Sequence, residues 1–415
     1  MKNLLNILVI VALLTACNPD IEVFIPSFGN NSIHKDTDPL TEETKHTMEG
    51  IYRVIDGSDH FGNKVVVKWS GKYMSIFTEK NAAYLIQEGG SLESVLFFEG
   101  YWRYATNTET GLAQFRISAD EGGNYLINND NQVPIKLSGT YGLGDELPSR
   151  NITLVYDRYF SEKVLEEKFY ILAHRGAGRT SDMLSASENT LNMIGLAERF
   201  GANAIEIDVK LSQDRIPFLY HDATINLRLT QKGPVWGNIE DFTFAQLRTS
   251  ITLINGEKIP SLQEALDFVL EETTLELVWL DMKSEKNDLP EVIPIQQEIL
   301  SRAESMGRQL EIFVGLPTED KISQLLSYPD YESITTINEL NAEDVRRTNS
   351  PLWGPRWTLG MQLDEVERMH AEGRRVVTWT MDDPTYIERY IRESAFDGMV
   401  TNYPTLVAYY FYSQK

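Results

Sequence analysis

From residue 165 to residue 415 short apolar runs alternate with stretches of helical spacing, and that alternation constrains the fold more than any other feature. A strand that feeds a helix and then another strand builds a parallel sheet, because the helix carries the chain back to the same edge. The runs fall at 169–174, 203–209, 216–221, 275–281, 311–315, 334–338, 375–380 and 397–401. Eight such units over about 250 residues fit a closed barrel of the TIM type. One connection breaks the pattern. Val209 to Ile216 is too short for a crossover, which takes at least ~10–12 residues in all. An irregular barrel is therefore expected, with the chain doubling back near Gln213-Asp214-Arg215. After Thr190, the positions Met193, Leu196, Ala197 and Phe200 follow helical spacing, and Gly201 is placed to end that helix.

Residues 47–160 are patterned differently. Lys64–Trp69 and Lys72–Phe77 flank Ser70-Gly71, a hairpin signal. Aromatic and β-branched runs follow at Val95–Trp102, Ala113–Ser118, Tyr125–Asn128, Gly139–Tyr141 and Asn151–Tyr156. Turn residues separate them, as in Glu121-Gly122-Gly123-Asn124. The expected fold class is α/β: an irregular (β/α)8 TIM-type barrel at 165–415, preceded by a small all-β sandwich or barrel domain. The aromatics of that smaller domain read as core, and nothing in it carries recognisable chemistry.

Residues 18–46 are polar and turn-rich and read as a tether. Before them, Lys2 is followed by an apolar stretch from Leu4 to Leu14 and then Thr15-Ala16-Cys17. The stretch is too short for an ordinary spanning helix of ~20 residues. It looks like a bacterial lipoprotein signal at residues 1–17, with Cys17 as the lipidated residue. A plain secretory signal is the alternative. The expected location is exported and membrane-anchored, on the periplasmic or cell-surface side. Cys17 is the only cysteine, so no intrachain disulfide forms. The formal charge of −23 argues against a nucleic-acid partner. It also means that a phosphate site must be locally positive or carry a metal.

In a TIM-type barrel the C-terminal strand ends converge on one mouth. His174, Glu206, Asp208, His221, Asp281 and Lys283 fall at such ends. Two of the chain's six histidines are among them. Glu206 and Asp208 are spaced i, i+2 and share one strand face. They repel unless a cation or a shared proton intervenes. A hard oxygen-loving cation, Mg²⁺ or Ca²⁺, answers this economically, whereas zinc lacks a cysteine ligand here. Singly, each residue has an ordinary reading: a hydrogen-bonded structural histidine, a solvated strand edge, a surface arginine or lysine, a helix cap at Glu188.

Taken in order, these residues resemble the glycerophosphodiester phosphodiesterase family of irregular TIM barrels. The motifs are His174-Arg175-Gly176, Glu188-Asn189-Thr190, Glu206-Ile207-Asp208-Val209, Asp214 and His221-Asp222. Ile259-Pro260-Ser261-Leu262-Gln263-Glu264-Ala265-Leu266 and Leu280-Asp281-Met282-Lys283 follow. Val377-Thr378-Trp379-Thr380 and Asp397–Pro404 match the closing strands. The resemblance covers about 169–410. It implies metal-dependent hydrolysis of glycerophosphodiesters to glycerol 3-phosphate and an alcohol. It implies His174 and His221 as acid and base, and one divalent cation on Glu206, Asp208 and Asp281. Arg175 and Lys283 would meet phosphoryl oxygens, Trp379 the glycerol backbone, and Glu188 and Asn189 would position the site. Two departures stand out. Asp281 replaces the family's usual Glu, and the stretch from Gly176 to Glu188, with Arg179 inside it, is long. A headgroup- or partner-binding module on the same fold, and a surface glycoside hydrolase, are the competing readings. The two histidines weigh against both.

Overall fold

The computed structural model describes residues 25–29, 32–130 and 132–415, so the signal read at residues 1–17, with Cys17, lies outside the described residues. Two closed barrels follow one another. The first comprises β1 Gly50–Asp56, β2 Lys64–Ser70, β3 Tyr73–Thr78, β4 Ala83–Leu92, β5 Val95–Tyr104, β6 Thr110–Ile117, β7 Lys136–Tyr141 and β8 Arg150–Arg158. Each strand pairs antiparallel with the next, and β8 closes onto β1. Of sandwich and barrel, the chain takes the barrel.

Strand alternation explains its composition. Val65, Val67, Met74, Ile76, Ala83 and Leu85 point inward and pack with Phe98, Trp102 and Phe115. Their neighbours Val66, Phe77, Tyr84 and Ile86 point outward, yet they too are buried, in a core shared with the second barrel. Tyr125–Asn128 forms no strand. It lies in the short helix Gly123–Asn128, which Gly122 enters at φ +115 and Asn129 leaves at φ +56. The run is amphipathic enough for either form, and the left-handed turns at both ends decide it. A helix at Glu42–Met48, capped by Thr41, begins in the stretch read as tether (18–46), runs past its end and buries Met48.

The second unit holds β9 Tyr170–Ala173, β10 Ala204–Leu211, β11 Pro217–Leu219, β12 Thr224–Ile225, β13 Gly237–Asn238 and β14 Leu277–Met282. It continues with β15 Glu311–Leu316, β16 Thr336–Asn338, β17 Leu352–Trp353, β18 Arg375–Thr378 and β19 Gly398–Thr401. Strands β9, β10 and β14–β19 run parallel, and β9 pairs with both β10 and β19 to close the barrel. The run at 216–221 is not one of the eight. It contains β11, which folds back antiparallel on β10 with Val209 opposite Leu219. The reversal lies at Gln213–Arg215, where Arg215 takes φ +61. The missing eighth strand is β17, two residues between Ser350-Pro351 and Gly354-Pro355 that carry loop punctuation.

The helix Pro404–Tyr412 is buried from Pro404 to Phe411. It touches β2, β3 and β4 of the first barrel and β9 of the second. A helix apolar on every side must be enclosed, and this one is enclosed between two barrels. Gly201 lies at the same seam with φ +85, and a Cβ there would stand 2.6 Å from Ala408 Cβ and 2.9 Å from Phe77 Cζ. No helix among the described residues is long and apolar enough to cross a membrane.

Because one apolar core crosses the seam, the barrels should unfold in a single transition. Phe77→Ala should lower the stability of both together by about 3–5 kcal/mol, the range for a truncated core phenylalanine. Denaturant unfolding followed by hydrogen exchange in each barrel checks this; two separated transitions would contradict it.

Candidate active site

All the side chains proposed from strand ends converge on one mouth. β9 ends at Ala173, and His174-Arg175-Gly176 forms a tight turn with Arg175 at φ +56. That turn aims the Arg175 amide at Glu206 Oε2, 2.8 Å away. His174 Nδ1 donates to Asn402 Oδ1 at 2.7 Å. Asn402 is held by Asp382, receiving its Nδ2–H at 2.6 Å and its backbone N–H at 2.8 Å. This chain sets the His174 tautomer and leaves Nε2 as an acceptor, 3.6 Å from Glu206 Oε2. Burial, aided by Arg175, lowers the His174 pKa to about 4, so the ring is neutral at pH 7.

His221 follows β11 and donates Nδ1–H to Asp222 Oδ1 at 2.7 Å. Asp222 also accepts from Asn226 Nδ2 at 2.8 Å and Arg228 Nη2 at 2.7 Å. Burial alone would raise its pKa, but the hydrogen bonds from Arg228, His221 and Asn226 outweigh that and hold it below the carboxylate range. Both histidines therefore present Nε2 and are oriented through Nδ1, by different partners.

Glu206 and Asp208 point inward from β10, and Asp281 lies opposite Asp208 in register on β14. One oxygen from each of the three carboxylates lies within 4.8 Å of the others. Glu206 Oε1, Asp208 Oδ1 and Asp281 Oδ1 are buried without a hydrogen-bond partner. Burial and the neighbouring carboxylates raise Glu206; burial raises Asp281 despite Lys283. Asp208 is lowered, because Lys283, His221 and Arg175 outweigh its burial. Three orphaned carboxylate oxygens on rigid strands suit a hard divalent cation. The shorter Asp281 still delivers its oxygen to the cluster.

Lys283 Nζ bonds Asp281 and lies 3.7 Å from Asp208 Oδ1. Asn189 locks Asp208 in place, donating Nδ2–H to Oδ2 at 2.7 Å and accepting the Asp208 amide at 3.0 Å. Glu188 does not cap the following helix; Thr190 does. Glu188 instead accepts from Arg175 Nη1 at 2.7 Å and from Arg228 Nη1 at 2.9 Å. Trp379, just past β18, donates Nε1–H to Gly354 O at 2.7 Å and carries the Arg356 guanidinium 4.7 Å from its ring centre. Arg179 is turned away onto Asp182 and Tyr403. Asp214 serves the β10–β11 reversal, accepting from Ser212 and the Phe244 amide.

Sequence reasoning missed Asn402, Asp382, Arg228, Lys210 and Glu339. Lys210 continues the inward face of Glu206 and Asp208 and bonds Lys283 O at 3.1 Å. Glu339 stands one residue past β16, buried, with Oε1 unpartnered. The strand-end rule that found Lys283 would have found Asn402 and Glu339; Asp382 and Arg228 carry no such signal.

The pattern described as "Glycerophosphoryl diester phosphodiesterase family" matches residues 174–406, more than half of the chain. Human glycerophosphodiester phosphodiesterase 1 is 35% identical over an alignment of 108 residues that covers 24% of this chain and 30% of that protein. The alignment therefore spans under a third of the human relative. A glycerophosphodiester phosphodiesterase of Caldanaerobacter subterraneus subsp. tengcongensis is 23% identical over 270 residues, covering 57% of this chain and 95% of that one. A phosphodiesterase of Oleispira antarctica, solved with its product sn-glycerol-3-phosphate, is 22% identical with a TM-score of 0.46, covering 57% of this chain and 94% of that one.

A cation that binds only the folded protein raises its stability, by about 2.7 kcal/mol at 100 times Kd. Mg²⁺ or Ca²⁺ should therefore raise the melting temperature of the wild type. The increment should vanish in Asp208→Asn and Asp281→Asn. Equal increments in wild type and variants would remove these residues as ligands.

Proposed function

This chain belongs to the glycerophosphoryl diester phosphodiesterase family, and on that premise we propose that its site hydrolyses glycerophosphodiesters to glycerol 3-phosphate and an alcohol. One observation carries the reading. Two histidines with anchored Nδ1 and available Nε2 flank three buried carboxylates that have unpaired oxygens. Such a mouth can move protons and hold a cation against a phosphodiester at the same time.

Glu206, Asp208 and Asp281 would hold one divalent cation, Mg²⁺ or Ca²⁺, which when bound neutralises charge on a phosphoryl oxygen. Arg175 and Lys283 supply fixed positive charge for the remaining phosphoryl oxygens. Lys283 is kept charged because Asp281 and Asp208 outweigh its burial. In the first step one histidine Nε2 takes the proton of the substrate's own glycerol hydroxyl. That oxygen bonds to phosphorus, the bond to the alcohol oxygen breaks, and the second histidine, which must enter the step as imidazolium, gives its Nε2 proton to the leaving alcohol. In the second step the roles reverse: the second histidine takes a proton from water, whose oxygen bonds to phosphorus as the ring P–O bond breaks, and the first histidine returns its proton to the freed glycerol oxygen. Trp379 forms an apolar wall for the glycerol carbons. His174 presents Nε2 as an acceptor because its ring proton is held on Nδ1 by Asn402.

Residues 1–17 support a further part of this reading, in which export ends with lipid attachment at Cys17. That anchor would keep the site close to the lipids from which glycerophosphodiesters derive.

His174→Ala and His221→Ala should each lower turnover by ~10²-fold or more. Chelation should abolish activity and Mg²⁺ or Ca²⁺ restore it. The readout is glycerol 3-phosphate released from glycerophosphocholine, -ethanolamine, -glycerol and -inositol. Near-normal rates in either histidine variant, or metal-independent turnover, would overturn the assignment. Separately, Cys17→Ser should move the protein from the membrane fraction to the soluble one; unchanged partitioning would refute the anchor.

A further inference from the structure

The long stretch between Gly176 and Glu188 is braced from outside the family region. Arg103 sits on β5 of the first barrel, and the family match begins only at residue 174. Arg103 is 3% exposed, and its Nη2 donates to Asp182 O at 3.2 Å and to Met183 O at 2.9 Å. Met183 bends the chain there with φ +54. Both bonds come from Nη2, while the buried Nε has no partner, so the two carbonyls at the bend of this loop are the acceptors that compensate the buried guanidinium.

The loop is tied in turn to the site. The Thr180 amide donates to Glu188 Oε2 at 2.8 Å, and the Glu188 amide donates to Thr180 Oγ1 at 3.2 Å. The Glu188 carboxylate holds Arg175, the phosphate-facing cation, and Arg228. Arg228 holds Asp222, which orients His221. One carboxylate thus couples the phosphate grip to a proton-transfer group, and its own placement depends on the loop.

We propose that the first barrel is a working part of the active site. Arg103 is a positioning residue that fixes the 179–188 loop and, through Glu188, sets Arg175 and the Asp222–His221 pair. The proposal rests on the phosphodiesterase reading for its rate effects but not for its structural ones. Ser75 provides the control. Its Oγ donates to Arg199 O at 2.8 Å, across the same seam but beside the start of β10, at the end of the barrel opposite the mouth.

The test compares full-length Arg103→Ala, Arg103→Lys and Ser75→Ala by kcat/KM and by hydrogen exchange at residues 180–188. Arg103→Ala should lower kcat/KM by ~10- to 10²-fold, the scale of a small misplacement of catalytic groups. It should also speed exchange in the loop, whereas Ser75→Ala should change neither. In a Glu188→Gln background Arg103→Ala should add less than about a threefold further loss, since coupled residues are not additive. Matching behaviour of Arg103→Ala and Ser75→Ala, or fully multiplicative effects with Glu188→Gln, would overturn the proposal. Should Arg103→Ala fail to fold, Arg103→Lys decides: faster loop exchange with a lower rate supports the proposal, and wild-type values in both refute it. If the wild type cleaves no glycerophosphodiester, the exchange data alone decide the brace, and that failure belongs to the functional reading.

Discussion

Three carboxylates with unpaired oxygens at a buried barrel mouth are an electrostatic load that the surrounding structure must balance. Each ion taken out of water without a partner costs several kcal/mol. Lys283 lies against Asp281 and Asp208, and Arg175 spans toward Asp208 and Glu188. The φ +56 turn at Arg175 follows from the same demand, because it brings that residue's amide onto Glu206. Lys283 and Arg175 offset only part of this load within a chain of formal charge −23, and the remainder is the charge that a divalent cation at the cluster would neutralise.

The second organising constraint is the apolar seam. Outward-facing Val66, Phe77, Tyr84 and Ile86 of the first barrel, and the helix Pro404–Tyr412, form one core with the outer layer of the second. Interfaces between domains are usually more polar than this and permit relative motion. A shared core removes that freedom. It is also what allows a residue as far from the mouth in sequence as Arg103 to hold a loop there in a fixed place.

Much of this was legible from pattern alone. The period switch at Phe169 marked the parallel barrel, and the strand-end rule gathered His174, Glu206, Asp208, Asp281 and Lys283; His221 reaches the mouth from a strand that folds back on β10, not from one of the eight barrel strands as expected. The i, i+2 spacing of Glu206 and Asp208 predicted their common face, and the short connection at 209–216 predicted the reversal. What was hidden had physical reasons. A two-residue strand such as Leu352–Trp353 carries no periodicity, and its prolines read as loop. The run at 216–221 has the composition of a core strand, but only pairing reveals its direction. Asp382 acts on His174 through Asn402, a contact between distant strand ends that no local spacing encodes. Glu188 was visible, yet its role as the link between two arginines depends on a loop whose course the sequence left open.

Among the described residues the helix Pro404–Tyr412 follows every strand, and it covers the flank of a barrel whose strands end at Arg158. The first barrel can close its hydrogen bonds as soon as β8 is free to pair with β1. Val66, Phe77 and Tyr84 are then covered in stages, in part by Phe200 and Gly201 and fully only when the helix Pro404–Tyr412 docks. Contacts so distant in sequence form late, and apolar surface left waiting is where partly folded chains stick to one another. The rigidity of the finished molecule thus has a counterpart in its biogenesis: a half-built chain with an adhesive side until the closing helix docks.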